Sequence, residues 1–171
     1  MHMVKIFLYA GYGRRRYKIG LALIDEIDFV AVSDCGYWNL GSNGYAWLRR
    51  KGQAIHLHHF IVQRMGLTWD TLTHEIDHKN RIKLDNQREN LRIATRSENI
   101  SNQLISMGES GYRGVTRHHT DRWIARIRIG QTRPSLGIYD TPEDAARAYN
   151  QAALVHFGEF AILNIIEDSN E

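Results

Sequence analysis

The sequence is poor in cysteine and proline: its 171 residues include one cysteine, Cys35, and two prolines. A single cysteine excludes an internal disulfide and a site with two cysteine ligands, as is usual for a protein of a reducing compartment. Long apolar runs are also missing, since none approaches the ~18 residues that a membrane span needs. The short apolar stretch at the N-terminus precedes its basic run, which is the reverse of a signal peptide. We therefore expect a cytoplasmic protein that is neither secreted nor membrane-bound.

Charge is present in ordinary amount but is distributed unevenly. The formal net charge is +3, yet residues 112–135 hold six arginines against one acid, whereas residues 140–171 hold one arginine against seven acids. Further basic clusters lie at residues 14–16 and 49–51. Any one cluster could be a solvated face, but their combination with so basic a segment indicates a polyanionic partner, most simply nucleic acid.

Alternating and turn-rich segments dominate the first hundred residues. They predict a strand over 17–25, a short helix from Asp25, a hairpin over 37–50, a strand over 54–57 and a helix over 58–66. A polar loop follows from Asp77 to Asn90. Thr95, with Glu98 three residues later, forms a capping box that opens a helix carrying Asn99.

The C-terminal part has a different pattern. Residues 106–111 are small and polar and predict a linker between a first domain, 1–105, and a second, 112–171. Three alternating segments up to Tyr139 predict an antiparallel sheet. Thr141, Pro142 and Gly158 mark the ends of a helix whose small residues can pack closely on that sheet. The expected class is α+β.

Two chemical interpretations compete for residues 74–78, which read H-E-I-D-H. As H-E-x-x-H on a helix, His74 and His78 would bind zinc beside a glutamate base. The polar loop that follows, and the absence of an evident third ligand, argue against that interpretation. In the second, Asp77 and His78 act as a unit: a carboxylate is a hard ligand for magnesium or manganese, and the adjacent imidazole can activate water.

The second interpretation coincides with a family resemblance over about residues 17–105. The motifs L-H-H-F-I-V (57–62), I-D-H-K-N (76–80), L-D-N-Q-R-E-N-L-R (84–92) and T-R-S-E-N (95–99) resemble the HNH nucleases, in particular the phage and intron homing-endonuclease branch. The resemblance implies a ββα-metal nuclease core behind a small N-terminal sheet. It also implies a phage-infected or bacterial host cell.

The resemblance assigns roles residue by residue. Asp77 and Asn99 would be the metal ligands, His78 the general base, and Asn90 the residue that orients the loop and the base. Asn99 stands where the family name expects a histidine, which favours Mg²⁺ (or Mn²⁺) over zinc. His58 is open between a structural role and contact with a substrate phosphate.

Residues 111–164 resemble the APETALA/ethylene-response-factor DNA-binding domain, through Y-R-G-V (112–115), W-I-A-R-I-R (123–128) and L-G-I-Y-D-T-P-E-D-A-A-R-A-Y-N-Q-A-A (136–153). In that family a three-stranded sheet enters the major groove, and a helix supports it from behind. The positions carried over as DNA contacts are Arg113, Thr116, His118, Trp123, Arg126, Arg128, Arg133 and Ser135. Arg126 and Ser135 depart from the usual plant residues, so plant target specificity is not implied. Trp123 is equally compatible with the core, and Tyr149 is expected to bridge helix and sheet.

Together these features predict a metal-dependent DNA endonuclease that leaves a 5′ phosphate and a 3′ hydroxyl on double-stranded DNA. The alternative is a DNA-binding regulator whose nuclease centre is inactive. The chain has no evident protein partner or dimerisation segment, and we expect a monomer rather than a dimer.

Overall fold

Strands supply most of the regular secondary structure in the described N-terminal half of the chain. The computed structural model describes residues 2–11, 15–103, 107–119 and 121–167. Its contacts divide the chain into two units, Met1–Ala94 and Thr95–Glu171. Parts of three predicted segments lie outside the described residues. They are Arg14 of a predicted basic cluster, Ser106 of the predicted linker and residues 168–171 of the predicted second domain. The α+β class is confirmed, whereas the predicted bounds of the two domains stay a prediction.

The first unit contains a five-stranded sheet and two helices. Its strands are β1 (Met3–Ala10), β2 (Tyr17–Asp25), β3 (Asn39–Leu40), β4 (Ala46–Arg50) and β5 (Gln53–His56), in the sheet order β2-β1-β3-β4-β5. Helices α1 (Glu26–Asp34) and α2 (Leu57–Arg64) pack with it. A separate pair of strands, β6 (His74–His78) and β7 (Leu91–Thr95), flanks a loop that ends in a 3₁₀ turn at Arg88–Asn90.

The second unit begins with the short helix α3 (Arg96–Ser101). Strands β8 (Val115–Arg117), β9 (Trp123–Arg126) and β10 (Ser135–Tyr139) form an antiparallel sheet in the order β10-β9-β8, followed by α4 (Pro142–Phe157) and a 3₁₀ turn at Gly158–Phe160. The predicted capping box of Thr95 and Glu98 is present, and Thr141 caps α4 with Pro142 in its first turn. No helix within the described ranges combines the length and apolarity needed to cross a membrane.

The two cores are separate clusters of apolar side chains. In the first, residues of β1, β2, α1 and α2 such as Leu8, Ile24 and Ile61 are fully buried. Strand β1 was missed from the sequence because Met3 and Phe7 are apolar on its exposed face, which hides the alternation with Ile6 and Leu8.

In the second unit, small side chains of α4 lie against the sheet. Ala145, Ala146 and Ala153 are buried, and Tyr149 packs on Ile127, so this residue bridges helix and sheet as predicted. Gly114 has a φ of 76°, and a Cβ there would overlap the Tyr149 ring. Only glycine therefore allows the chain to pass this close to the tyrosine.

The loop after β6 is attached to the edge of the N-terminal sheet. Leu23 of β2 donates its amide to Leu84 O (2.8 Å), and Asn86 donates its amide to Leu23 O (2.8 Å). The loop thus continues the sheet beyond its edge strand. The sheet therefore supports the loop that follows Asp77 and His78.

Candidate active site and nucleic-acid surface

Asp77 and His78 are the last two residues of β6, and both are buried. The predicted loop was expected to begin at Asp77, but the strand continues through His78. On a strand, Cα atoms four residues apart are about 13 Å from each other. His74 and His78 therefore cannot share a zinc ion, and the structure excludes the H-E-x-x-H interpretation.

Asn90 closes the loop between the two strands. Its side chain accepts a hydrogen bond from Asn80 N (3.0 Å) and donates one to Asp85 O (2.7 Å), while its carbonyl accepts from Lys79 N (2.9 Å). Asn80 adds a bond to the Asp85 carboxylate (2.6 Å). These bonds join the start, middle and end of the loop and fix the backbone that follows His78.

Arg92 lies against the Asp77 carboxylate. Its Nε and Nη2 atoms are each 2.8 Å from Asp77 Oδ2, and both side chains are nearly buried. Lys79 and Asn90 pair at the base of the loop, so an antiparallel arrangement places Arg92 opposite Asp77, two residues further along each strand. A buried carboxylate held in this way is a charged oxygen donor.

His78 is buried and lies near two carboxylates, and burial and these carboxylates affect its pKa in opposite directions. Burial lowers its pKa below the usual value, while the Asn86 side chain and the charges of Asp77 and Asp85 oppose this shift. The net direction is downward, which favours the neutral imidazole at neutral pH. A neutral imidazole is the form that can accept a proton from water.

A group of aromatic rings packs beside His78. The His58 ring centroid lies 5.3 Å from that of His78 and 5.0 Å from that of Tyr45, and His58 Nδ1 has no hydrogen-bond partner among the described residues. Burial and, secondarily, the neighbouring histidines lower the pKa of His58 to about 2. His58 therefore contributes no positive charge for a phosphate, and its predicted phosphate contact stays a prediction.

Asp77 offers an oxygen ligand to a divalent cation, and Arg92 lies against the same oxygen. Carboxylates are hard ligands of the kind that Mg²⁺ or Mn²⁺ prefers. No group of three or more His, Cys, Asp or Glu side chains in the described part of the chain is arranged to hold a metal. Asn99, the predicted second ligand, lies on α3 in the second unit.

The C-terminal sheet has one face turned away from α4. Strand register pairs Thr116 with Ile124 and Ser135 with Arg126, so Thr116, Arg126 and Ser135 lie on the same face. Thr116 and Ser135 are exposed. Trp123 instead packs against the Val115 and Ala125 core, with Arg117 5.6 Å from its ring centroid.

The arginines of the basic segment 112–135, of which Arg113, Arg126, Arg128 and Arg133 are predicted DNA contacts, have different surroundings. Arg126, Arg128 and Arg133 have no ion-pair partner among the described residues and line a cavity of about 240 Å³. Arg117 pairs with Glu109 and Asp121, and Arg122 pairs with Asp140, in exposed bridges of 2.7–3.0 Å. His118 is half-buried and packs against His119, with ring centroids 3.9 Å apart.

Arg113 differs from all of these because it is buried, with 6% of its surface exposed. Its guanidinium donates to Tyr149 Oη (2.8 Å) and Gln103 O (2.7 Å). The resemblance implies that Arg113 contacts DNA, but in this structure its guanidinium donates hydrogen bonds to acceptors of the protein itself.

Sequence reasoning missed Arg92 and Tyr45. Arg92 could have been found from strand pairing, because a hairpin that joins residues 74–78 and 91–95 across the polar loop places Arg92 opposite Asp77. No comparable signal marks Tyr45, whose place beside His58 and His78 depends on the packing of the β3–β4 hairpin.

Comparison with known proteins finds two family matches, one after the other along the chain. Residues 56–100 match the HNH endonuclease family, and residues 110–158 match the AP2 domain. An uncharacterized HNH endonuclease of Acanthamoeba polyphaga mimivirus is 33% identical over 133 residues, covering 76% of this chain and 67% of the relative.

Plant proteins match a smaller share of the chain. An ethylene-responsive transcription factor of Arabidopsis thaliana is 37% identical over 98 residues, which cover 56% of this chain and 21% of the plant protein. An APETALA2-like protein of Oryza sativa subsp. indica is 44% identical over 62 residues, covering 35% of this chain and 14% of its own length. The chain thus spans about a fifth or less of these two plant proteins. With its viral relative and its two domain matches, the chain belongs to the HNH endonuclease family and combines an HNH module with a C-terminal AP2 domain.

Proposed function

We propose that the protein is a divalent-metal-dependent DNA endonuclease of the homing type. It hydrolyses phosphodiester bonds to leave a 5′ phosphate and a 3′ hydroxyl, and its C-terminal sheet directs it to its site. The observation that carries the proposal is the buried pair of Asp77 and His78 at the base of a loop that Asn90 holds closed. The HNH and AP2 family matches support nuclease chemistry and DNA binding respectively.

The chain supplies an acceptor for the proton of the attacking water and a ligand for a cation. Asp77 would hold Mg²⁺ or Mn²⁺, which when bound supplies positive charge against the phosphate and the departing oxygen. His78 takes a proton from water on a ring nitrogen. Asn90 fixes the loop that follows His78 and so sets the direction of that imidazole. We also propose Asn99 as a second protein ligand of the cation.

The C-terminal sheet would bind double-stranded DNA through its open face. Arg126, Arg128 and Arg133 have donors available for phosphate or for guanine edges in the major groove. Thr116 and Ser135 lie on the same face as Arg126 and can add neutral contacts. We further propose a monomer that acts in the cytoplasm of a phage-infected or bacterial cell.

Conversion of supercoiled plasmid tests the nuclease. Purified protein is incubated with plasmid and with phage-derived DNA in Mg²⁺, Mn²⁺ or EDTA, alongside His78→Ala and the control His74→Ala. His74 is half-exposed on the same strand, with Nδ1 2.7 Å from Thr73 Oγ1. We expect metal-dependent nicking that His78→Ala abolishes and His74→Ala retains.

The second candidate function is DNA binding without cleavage, and the plant transcription factors among the relatives favour it. Gel-shift titration beside the plasmid assay separates the two. Cleavage lost in His78→Ala with unchanged DNA affinity supports the nuclease. Tight binding of wild-type protein to a DNA that it never cleaves, in either metal, supports the regulator.

A further inference from the structure

The end of helix α3 is held by an arginine from the loop before β8. Arg113 Nη1 donates to Gln103 O (2.7 Å), just after the helix, and Nη2 lies 3.5 Å from Ile100 O in its last turn. The last carbonyls of a helix lack partners within the helix and carry partial negative charge. A guanidinium there both satisfies these oxygens and complements their charge.

Other contacts join α3 to the same unit. Ser101 Oγ lies 2.7 Å from Glu98 O and 3.1 Å from Phe160 O, and Gly130 N donates to Ser97 Oγ (3.2 Å). Ser101 and Asn102 are both buried. The helix is therefore attached at both ends to segments around the C-terminal sheet and α4.

Arg113 is itself fixed on its opposite side. Its Nε donates to Tyr149 Oη (2.8 Å), its backbone amide donates to Asn164 Oδ1 (2.6 Å), and Asn164 Nδ2 donates to its carbonyl (3.1 Å). The arginine thus connects α3 with α4 and with the segment after α4. To reach DNA, its side chain would have to give up these bonds.

We infer that Arg113 is a positioning residue that fixes α3, and with it Asn99, on the DNA-binding unit. The DNA-binding arginines and the last residue of the HNH motif then move as one body. The link of this inference to catalysis rests on the proposed function, whereas the fixing of α3 does not. It departs from the family resemblance, which makes the same arginine a direct DNA contact.

The fixing of α3 is tested by amide hydrogen exchange in wild-type protein, Arg113→Met and the control Arg122→Met. Arg122 lies just before β9 and forms an exposed bridge to Asp140. The reporters are the amides of Asn102 and Gln103, which donate to carbonyls of α3. Hydrogen bonds from a charged group are stronger than those between neutral groups, so we expect exchange at least about tenfold faster in Arg113→Met. Arg122→Met should match wild type.

The amide of Ala153 in α4 reports on the fold of the unit. If Arg113→Met speeds exchange there too, Tyr149→Phe replaces it, because this variant removes the hydroxyl that accepts from Arg113 Nε and keeps the ring. Faster exchange at Asn102 and Gln103 with normal exchange at Ala153 supports the inference. Unchanged exchange at both reporters overturns it, whatever the nuclease activity.

Cleavage kinetics test the consequence for catalysis. We expect Arg113→Met to lower kcat at least about tenfold and to raise the Mg²⁺ concentration needed for half-maximal rate, with a DNA Kd within about threefold of wild type. Weaker DNA binding with normal kcat and normal exchange overturns the inference in favour of a direct contact. A wild-type protein without activity refutes the proposed function, while the exchange result still decides the role of Arg113.

Discussion

Arg92 and Asp77 form a nearly buried ion pair in which two guanidinium nitrogens each lie 2.8 Å from the same carboxylate oxygen. The carboxylate that we expect to hold a divalent cation is thus already neutralised by a protein cation. The arginine holds the Asp77 carboxylate in place, but its positive charge also opposes a metal ion. The same residue therefore affects stability and metal affinity in opposite directions.

Replacing Arg92 by methionine should separate these effects. Removing one partner of a buried pair costs about 3–5 kcal/mol, so we expect a clear loss of stability in EDTA. Mg²⁺ should restore more stability to the variant than to wild type, because binding to the folded state adds to the free energy of unfolding. Urea unfolding with and without Mg²⁺ measures both. The surface variant Arg49→Met is the control, and equal losses in EDTA and Mg²⁺ would contradict the prediction.

Asp28 should be a determinant of stability. Its side chain is fully buried and accepts bonds of 2.8 Å from Arg64 Nε, Arg88 Nε and Arg88 Nη2. Burial alone raises the pKa of Asp28, but the two arginines outweigh it, so that the pKa is lowered. We expect Asp28→Asn to lower the free energy of unfolding by about 3 kcal/mol or more. Asp34→Asn, on the exposed part of the same helix, should leave it unchanged within about 0.5 kcal/mol.

Stability of the first unit should fall in mild acid because of His58. Its pKa is about 2 when folded, against 6.5 for the free side chain. Below pH 6.5 the imidazole is therefore protonated in the unfolded chain and neutral in the folded chain. The free energy of unfolding then falls by about 1.4 kcal/mol for each pH unit. Burial also lowers the pKa values of His56 and His59, which act in the same direction.

Urea unfolding of His58→Phe between pH 7.5 and 5 measures that contribution. The variant should lose less stability than wild type over this range, and His74→Phe should behave as wild type. Parallel pH profiles for His58→Phe and wild type would refute the prediction.

The arginines without ion pairs should contribute most to DNA affinity. If Arg126, Arg128 and Arg133 each neutralise a phosphate, each change to methionine should reduce the slope of log Kd against log salt by about 0.9. Arg117 and Arg122 have carboxylate partners, so Arg122→Met should change the slope less. Gel-shift titrations at several salt concentrations provide the slopes. A salt-independent affinity of the wild-type protein would contradict the proposed use of the sheet.

Local patterns predicted much of the fold. Strand β2, helix α2, the Thr95 capping box and helix α4 follow from three local signals. These signals are apolar alternation, N-terminal caps and glycines at helix C-termini, and each involves residues close together in sequence. Such features depend on backbone preferences that neighbouring residues determine. The α+β class follows from their order.

The surroundings of individual side chains could not be predicted in the same way. Arg113 resembles its basic neighbours in sequence, yet it is buried because Gln103, Tyr149 and Asn164 approach it from distant segments. The partners of Asp77 and Asp28 are likewise 15 to 60 residues away along the chain. Charge and periodicity identify residues whose side chains can bind DNA or a metal ion. Tertiary contacts determine which of these side chains are already bonded within the protein.

The hydrogen bonds between Leu23 and residues 84–86 also have a consequence for synthesis on the ribosome. Strands β1 and β2 emerge first, but the edge of β2 gains these partners only about 60 residues later, which at 5–20 residues per second is roughly 3–12 s. During that interval an edge strand with exposed apolar side chains such as Leu21 and Ile19 is open to other chains. Completion of the loop beside the Asp77–His78 pair thus also covers the edge of β2 at Leu23.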